Sequence, residues 1–116
     1  MLTARRGGVH GLPAALSYLE WGSRGKPAAV LLHGITSNAQ AWWRVAPALI
    51  ERGFHVVAFD MPGHGLSAAV ERHGIDDIGG LIAAAIRSLE LEADLVLGHS
   101  WGGAGAYAHS LVELVM

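Results

Sequence analysis

Three short apolar runs, each followed by a turn that contains glycine, constrain the fold of this chain most. They are Ala28–Leu32, Phe54–Phe59 and Ala93–Leu97. Each run is nearly continuous in apolar residues rather than alternating, which is typical of parallel strands that are covered on both faces. Helical patterns separate the runs. The order strand, helix, strand, helix, strand, helix therefore predicts an α/β fold with a doubly wound, mostly parallel sheet.

The segment between the first two runs predicts a helix over residues 39–52. It ends before Gly53, a residue type favoured just beyond a helix C-terminus, and Pro47 indicates an irregular first turn. Upstream, residues 15–21 partly alternate between polar and apolar side chains and are followed by Gly22. We expect this segment to enter the sheet as an antiparallel strand.

A second helix is predicted over residues 75–89, and a last one begins near Trp101. In the second helix Gly79 and Gly80 each cost about 1 kcal/mol relative to alanine, so the helix depends on docking against the sheet. Its apolar residues share one stripe. They are Ile75, Ile78, Ile82, Ile86 and Leu89.

Composition excludes several classes of protein. The chain has 116 residues, 52% of them hydrophobic and 16% charged, which suits one folded domain rather than a disordered segment. Its net charge of −2 provides no basic surface for nucleic acid. No apolar stretch approaches the roughly 18 residues of a membrane-spanning helix. We therefore expect no nucleic-acid partner and no membrane partner.

The cysteine and histidine content argues against a metal or cofactor site. The chain has no cysteine, so disulfides and thiolate metal ligands are excluded, and its 7 histidines lack the spacing of metal ligands. The amino terminus lacks the apolar region of a signal peptide. We expect a cytoplasmic protein without metal or cofactor.

The three turns with glycine all follow the carboxyl ends of predicted parallel strands, which is where open α/β sheets bind ligands. Their sequences are His33-Gly34-Ile35-Thr36, then Asp60 to Ser67, then Gly98-His99-Ser100-Trp101-Gly102-Gly103. The third fits G-x-S-x-G. It follows a strand and opens a helix, which is the strand–turn–helix elbow that lifts a serine hydroxyl above the sheet edge.

With these three motifs in this order, the chain resembles the α/β-hydrolase superfamily, in the branch with an HG turn, a D-x-P-G-x-G-x-S loop and a serine elbow. The resemblance implies that Ser100 is the nucleophile and that the amides of Ile35 and Trp101 form the oxyanion hole. It also implies supporting roles in the turns for His33, Gly34, Gly98 and Gly102. Superfamily members that open epoxides or dehalogenate alkanes use aspartate at the elbow. The resemblance therefore implies a small-molecule acyl substrate (an ester, thioester, lactone or amide), and a carbon–carbon bond beside a ketone stays open.

Other polar and aromatic residues near these motifs receive structural roles. By the resemblance, His33 orients backbone rather than moving protons. We expect Asp60 and His64 to hold their loop by hydrogen bonds, and His99 to pack. Trp42 and Trp43 are expected in the core or in a pocket wall.

A dinucleotide-binding alternative is weaker. Residues 63–68 and 103–108 both fit G-x-G-x-x-A. The first does not open a helix at once, and the second lies within a predicted helix, so neither has the required context.

A serine hydrolase of this fold also needs an acid and then a histidine after the nucleophile. After Ser100 the only candidates for the acid and the base are His109 and Glu113, and they occur in the wrong order. In a helix that rises 1.5 Å per residue they would lie roughly 13 and 20 Å from the elbow along the helix axis, which is too far to reach Ser100. We therefore expect residues 1–116 to be the N-terminal part of a single domain, the first half of the fold, truncated after the nucleophile helix. The alternative is a catalytically silent fragment, or an assembly module that needs a separate C-terminal half.

Overall fold

A computed structural model of the chain describes residues 3–71 and 74–99, which contain one sheet flanked by helices. Its five strands lie in the spatial order β1-β2-β4-β3-β5. In chain order they are β1 (Arg5–Val9), β2 (Leu16–Trp21), β3 (Ala28–Leu32), β4 (His55–Phe59) and β5 (Ala93–Gly98). The predicted α/β class is confirmed, and the sheet of the described residues is mixed, with parallel pairing of β3 to β4 and β5 and antiparallel pairing of β2 to β1 and β4.

The predicted strands match the observed ones closely. β3 has the predicted bounds, and β4 and β5 each differ from prediction by one residue at one end. The antiparallel strand expected at residues 15–21 is β2. β1 was not predicted, because this edge strand is mostly exposed and carries two arginines and two glycines rather than an apolar run.

Over residues 39–52, where we predict a helix with an irregular first turn, the irregular part is longer than predicted. The structure has a 3₁₀ helix at Ala39–Trp42 and a separate helix α1 at Ala46–Glu51. Pro47 is the second residue of α1, where its missing N–H and fixed φ suit a helix start and not a helix interior. Gly53 follows α1 with φ +92°, as its predicted position after the helix requires.

The second predicted helix is confirmed as α2, Ile75–Ser88. Within its stripe, Ile78, Ile82 and Ile86 are buried against one face of the sheet, in a core that includes Phe59, and Leu89 packs at its border. Burial of side chains of this size contributes about 1.5 to 3 kcal/mol each, which supports the prediction that docking compensates the two glycines.

The opposite face of the sheet is covered by the 3₁₀ helix and α1. Leu31 and Val56 are buried there with Ala39 and Leu49. Both faces of β3 and β4 are thus covered, which accounts for their continuous apolar runs. No helix within residues 3–71 and 74–99 is long and apolar enough to span a membrane. The predicted helix from Trp101 lies outside the described residues.

Candidate active site

The turns after β3, β4 and β5 leave the sheet at one edge. In the parallel register Leu32 lies opposite Phe59 on one side and Gly98 on the other. The His99 N–H then donates to the Leu32 carbonyl at 3.0 Å, which extends the pairing beyond β5. The residues that follow these three strands are therefore neighbours, as the sequence predicts. Ser100 comes directly after this point in the chain, and Ser100, Trp101 and Gly102 lie outside the described residues.

His33 joins the turn after β3 to the turn after β4. Its ring is buried, and Nε2 accepts the Met61 N–H at 2.9 Å. With Nε2 as acceptor, the neutral ring carries its proton on Nδ1 and donates it to the Gly34 carbonyl at 2.6 Å. Burial lowers the pKa of His33, more than the hydrogen bond to Gly34 raises it. The ring is therefore uncharged near neutral pH and serves as a bridge between the two turns.

Among the described residues, the turn that follows Gly34 has a backbone donor without a partner, and this donor lies beside a strained residue. No hydrogen bond from the Ile35 N–H occurs among the described residues. Thr36 has φ +67°, a left-handed conformation that costs a β-branched residue about 1 to 3 kcal/mol. The Thr36 N–H points to Nε2 of His64 at 3.3 Å, and the Ser37 N–H donates to the Gly34 carbonyl at 3.3 Å. The turn is thus held in a specific, strained shape.

Asp60 anchors the loop after β4, as expected, and also reaches two other parts of the chain. Its carboxylate accepts the Ala39 N–H at 2.8 Å, the Leu66 N–H at 3.2 Å and the Arg6 guanidinium at 2.6 Å. Burial alone would raise the pKa of Asp60, but these two amides and the Arg6 cation outweigh it and lower the pKa below its usual value. A Cβ on Gly65 would overlap this carboxylate, so the close approach requires glycine. Arg6 belongs to no motif in the sequence, and nothing there marked it as part of the site.

A cavity of about 170 Å³ lies beside the turn after β3. Its wall includes Trp42, as expected, whose Nε1 is buried with no hydrogen-bond partner among the described residues. Trp43 differs from expectation: it is 61% exposed, with the Arg44 guanidinium 4.9 Å from its ring centre. His99 lines the cavity with an exposed side chain, so its predicted packing role is wrong. A larger cavity of about 720 Å³ lies against α2, and its wall includes Pro13, Ala84 and the segment 69–71 that follows the loop after β4.

Of the predicted site residues, the structure brings His33, Gly34 and Ile35 together in one turn and places Gly98 buried at the end of the neighbouring strand. In the part of the chain that is described, no three His, Cys, Asp or Glu side chains are grouped so that they could hold a metal ion.

Comparisons with known proteins agree with this architecture. Residues 27–110 match the alpha/beta hydrolase fold family. The chain is 34% identical to the bifunctional epoxide hydrolase 2 of Sus scrofa over 76% of its own length and 16% of that protein. It is 33% identical to a bifunctional esterase/perhydrolase of Acinetobacter calcoaceticus, over 74% of its length and 32% of that protein.

Among solved structures, epoxide hydrolase A from Mycobacterium thermoresistibile matches with a TM-score of 0.81 and 31% identity, over 91% of this chain and 34% of that one. The 116 residues thus span about a third or less of the length of these three proteins, and they correspond to the N-terminal portion of the fold. These relatives are hydrolases by name, and the solved structure among them shares this fold. The chain belongs to the α/β-hydrolase family.

Proposed function

We propose that the protein is a serine hydrolase that cleaves a small acyl substrate through a covalent acyl intermediate on Ser100. The observation that carries this proposal is the Ile35 N–H, which has no partner among the described residues and lies in the turn beside the end of β5. A donor that no described residue engages, next to the strand that leads into G-x-S-x-G, suits an oxyanion hole for a reaction at Ser100.

In the proposed reaction the Ser100 hydroxyl oxygen attacks the carbonyl carbon of the substrate, and its proton passes to a base. The carbonyl oxygen becomes an oxyanion that accepts hydrogen bonds from the Ile35 and Trp101 amides. The bond to the leaving group then breaks, and the leaving group takes the proton. Water next attacks the acyl carbon through the same kind of oxyanion, the acid product leaves, and the Ser100 oxygen regains a proton.

The fixed geometry of the turn after β3 contributes to this chemistry, because hydrogen-bond donors that already point at the oxyanion position need no reorganisation during the reaction. His33 fixes the beginning of the turn through Gly34 and Met61, and Asp60 fixes its end through Ala39. One oxyanion donor is commonly worth about 3 to 4 kcal/mol of barrier. The strain at Thr36 is consistent with a backbone shaped for function and not for minimal energy.

Ser100 favours acyl transfer over epoxide opening, although two of the reported relatives are named epoxide hydrolases. By the family resemblance, epoxide opening uses an aspartate at the elbow, whose carboxylate forms an alkyl ester. A serine there suits an ester, thioester, lactone or amide substrate. Neither His109 nor Glu113 fits the order of the acid and base, so we assign both groups to a C-terminal half beyond the 116 residues.

A fluorophosphonate probe tests the proposal on the full-length protein. We expect one adduct, mapped to Ser100 by mass spectrometry, and no adduct after Ser100→Ala. The matched control is Ser23→Ala, which changes an exposed serine before β3 and should leave labelling unchanged. Labelling that persists after Ser100→Ala would overturn the proposal. Turnover of an epoxide without turnover of any ester, thioester, lactone or amide would also count against it.

A further inference from the structure

We propose that Arg6, on the edge strand β1, is a positioning residue that holds the oxyanion turn in shape through Asp60. This proposal rests on the proposed function, because it assigns that turn a role in catalysis. Arg6 lies 54 residues from Asp60 in the sequence, on a strand that pairs only with β2 among the described residues. Within the described part of the chain its side-chain hydrogen bonds go to Ser17 and Asp60 and not to the turn itself.

The contacts of Arg6 are short and directed into the protein. Its Nη1 lies 2.6 Å from Oδ2 of Asp60 and 2.6 Å from Oγ of Ser17. The Asp60 side chain is 1% exposed, whereas that of Arg6 is 35% exposed. A buried carboxylate requires compensating charge or hydrogen bonds, and in the described part of the chain Arg6 is the cation paired with it.

Asp60 passes this restraint to the turn. Its Oδ1 accepts the N–H of Ala39, which is the first residue of the 3₁₀ helix and the point where the turn after β3 ends. The beginning of the same turn is held separately, by His33 on Gly34. Loss of the Arg6 cation would leave the Asp60 carboxylate buried without a counter-ion, so it would take up a proton more easily. A protonated carboxyl is a weaker acceptor, and the Ala39 anchor would loosen while the His33 anchor stayed.

Arg5 provides a matched control on the same strand. Successive side chains of a strand point to opposite faces, and Arg5 reaches the Gly22 carbonyl at 2.5 Å and lies 3.7 Å from Glu20 instead of reaching Asp60. It is an arginine with its own hydrogen bond and ion pair. Replacement of Arg5 therefore measures the effect of removing an arginine from β1 without disturbing Asp60.

The experiment compares Arg6→Met with Arg5→Met in the full-length protein. Amide exchange of Ala39 is measured relative to that of Val57, a buried residue of the central strand β4 that reports global unfolding. We expect Arg6→Met to raise the ratio of the Ala39 exchange rate to the Val57 exchange rate by about tenfold or more, and Arg5→Met to raise it by less than about twofold. We also expect Arg6→Met, but not Arg5→Met, to raise the pH at which the Asp60 carboxyl titrates by carbon NMR.

A functional readout separates positioning from mere stabilisation. At a temperature where all variants are folded, Arg6→Met should slow fluorophosphonate labelling of Ser100 by about tenfold. Arg6→Lys, which restores the charge without the planar fork, should recover part of that rate. If Arg6→Met does not fold, Arg6→Lys is compared with Arg5→Lys by the same exchange ratio and rate.

Equal Ala39 exchange ratios in the Arg6 and Arg5 variants would overturn the proposal. So would a loosened Ala39 amide with an unchanged labelling rate. Absence of any Ser100 labelling in the unmodified protein would instead contradict the proposed function. The exchange ratio and the Asp60 titration would in that case still show whether Arg6 holds the turn.

Discussion

Replacement of His33 by alanine should destabilise the protein strongly, because its buried ring joins Gly34 to Met61 by two hydrogen bonds. The substitution removes two buried hydrogen bonds, one from Nδ1 to the Gly34 carbonyl and one from the Met61 N–H to Nε2. The Met61 N–H is left without a partner, which costs about 1 to 3 kcal/mol, whereas the Gly34 carbonyl keeps the Ser37 N–H and loses only a bond worth about 0.5 to 1.5 kcal/mol. The two together predict a loss of about 1.5 to 4.5 kcal/mol in the free energy of unfolding. The cavity left by a ring that is 1% exposed would add to this loss.

Urea denaturation followed by circular dichroism measures this loss, with His10→Ala as the control. His10 is exposed, so its replacement should change the free energy of unfolding by no more than about 0.5 kcal/mol. The slope of the unfolding free energy against urea concentration should stay the same in both variants if unfolding exposes the same amount of surface. A loss below about 1 kcal/mol for His33→Ala would mean that the bridge between the two turns is not formed in solution, and it would refute the reasoning.

Three further substitutions test individual features. Gly80→Ala should raise the free energy of unfolding by about 1 kcal/mol, since Gly80 is exposed in α2 and a Cβ there meets nothing within 4 Å; a fall in the urea midpoint would contradict this. Thr36→Gly should raise the free energy of unfolding by about 0.5 to 1 kcal/mol, because relief of the left-handed strain exceeds the extra conformational entropy of the unfolded chain. Thr36→Ala keeps a Cβ, so it should give no such gain in the same assay. For Glu20, burial would raise the pKa, but hydrogen bonds from His55 and Arg24 lower it below its usual value. Its contribution to stability is therefore complete above the ordinary glutamate pKa of about 4.3 and is lost as the pH falls through the lowered value. Glu20→Gln should flatten that part of the curve of stability against pH.

The sheet could be predicted because the burial of its central strands is visible in their amino-acid composition. β3 and β4 are covered on both faces, so each is a continuous apolar run, and each run is far too short to be a buried helix. β1 has no such apolar run. Its side chains are mostly exposed, and its contribution is the Arg6 guanidinium, which pairs with a residue 54 positions away. No local pattern encodes a contact at that separation.

The turns of the candidate site were predicted from their glycines and motifs, but their internal geometry was not. A β-branched residue such as Thr36 has a low preference for positive φ, so local preference argues against the conformation that the structure shows. That conformation occurs where His33 holds one end of the turn and Asp60 the other. Tertiary contacts at both ends override the local preference. The exposure of His99, between Gly98 and Ser100, and of Trp43, between Trp42 and Arg44, likewise follows no local pattern in the sequence.

The two anchors of the turn place similar demands on pH. His33 must be neutral to accept the Met61 N–H, and its lowered pKa means that this state is complete above the ordinary histidine value and is lost as the pH falls through the lowered one. Asp60 must be ionised to accept fully from Ala39, and its lowered pKa likewise extends the ionised state toward acid. Both shifts move in the direction that keeps each anchor in its binding form. Protonation of His33 removes the acceptor for the Met61 N–H, whereas the Nδ1–H still donates to the Gly34 carbonyl. Acidification therefore breaks the link between the two turns at Met61 when His33 takes up a proton, and it weakens the Ala39 anchor when Asp60 takes up a proton.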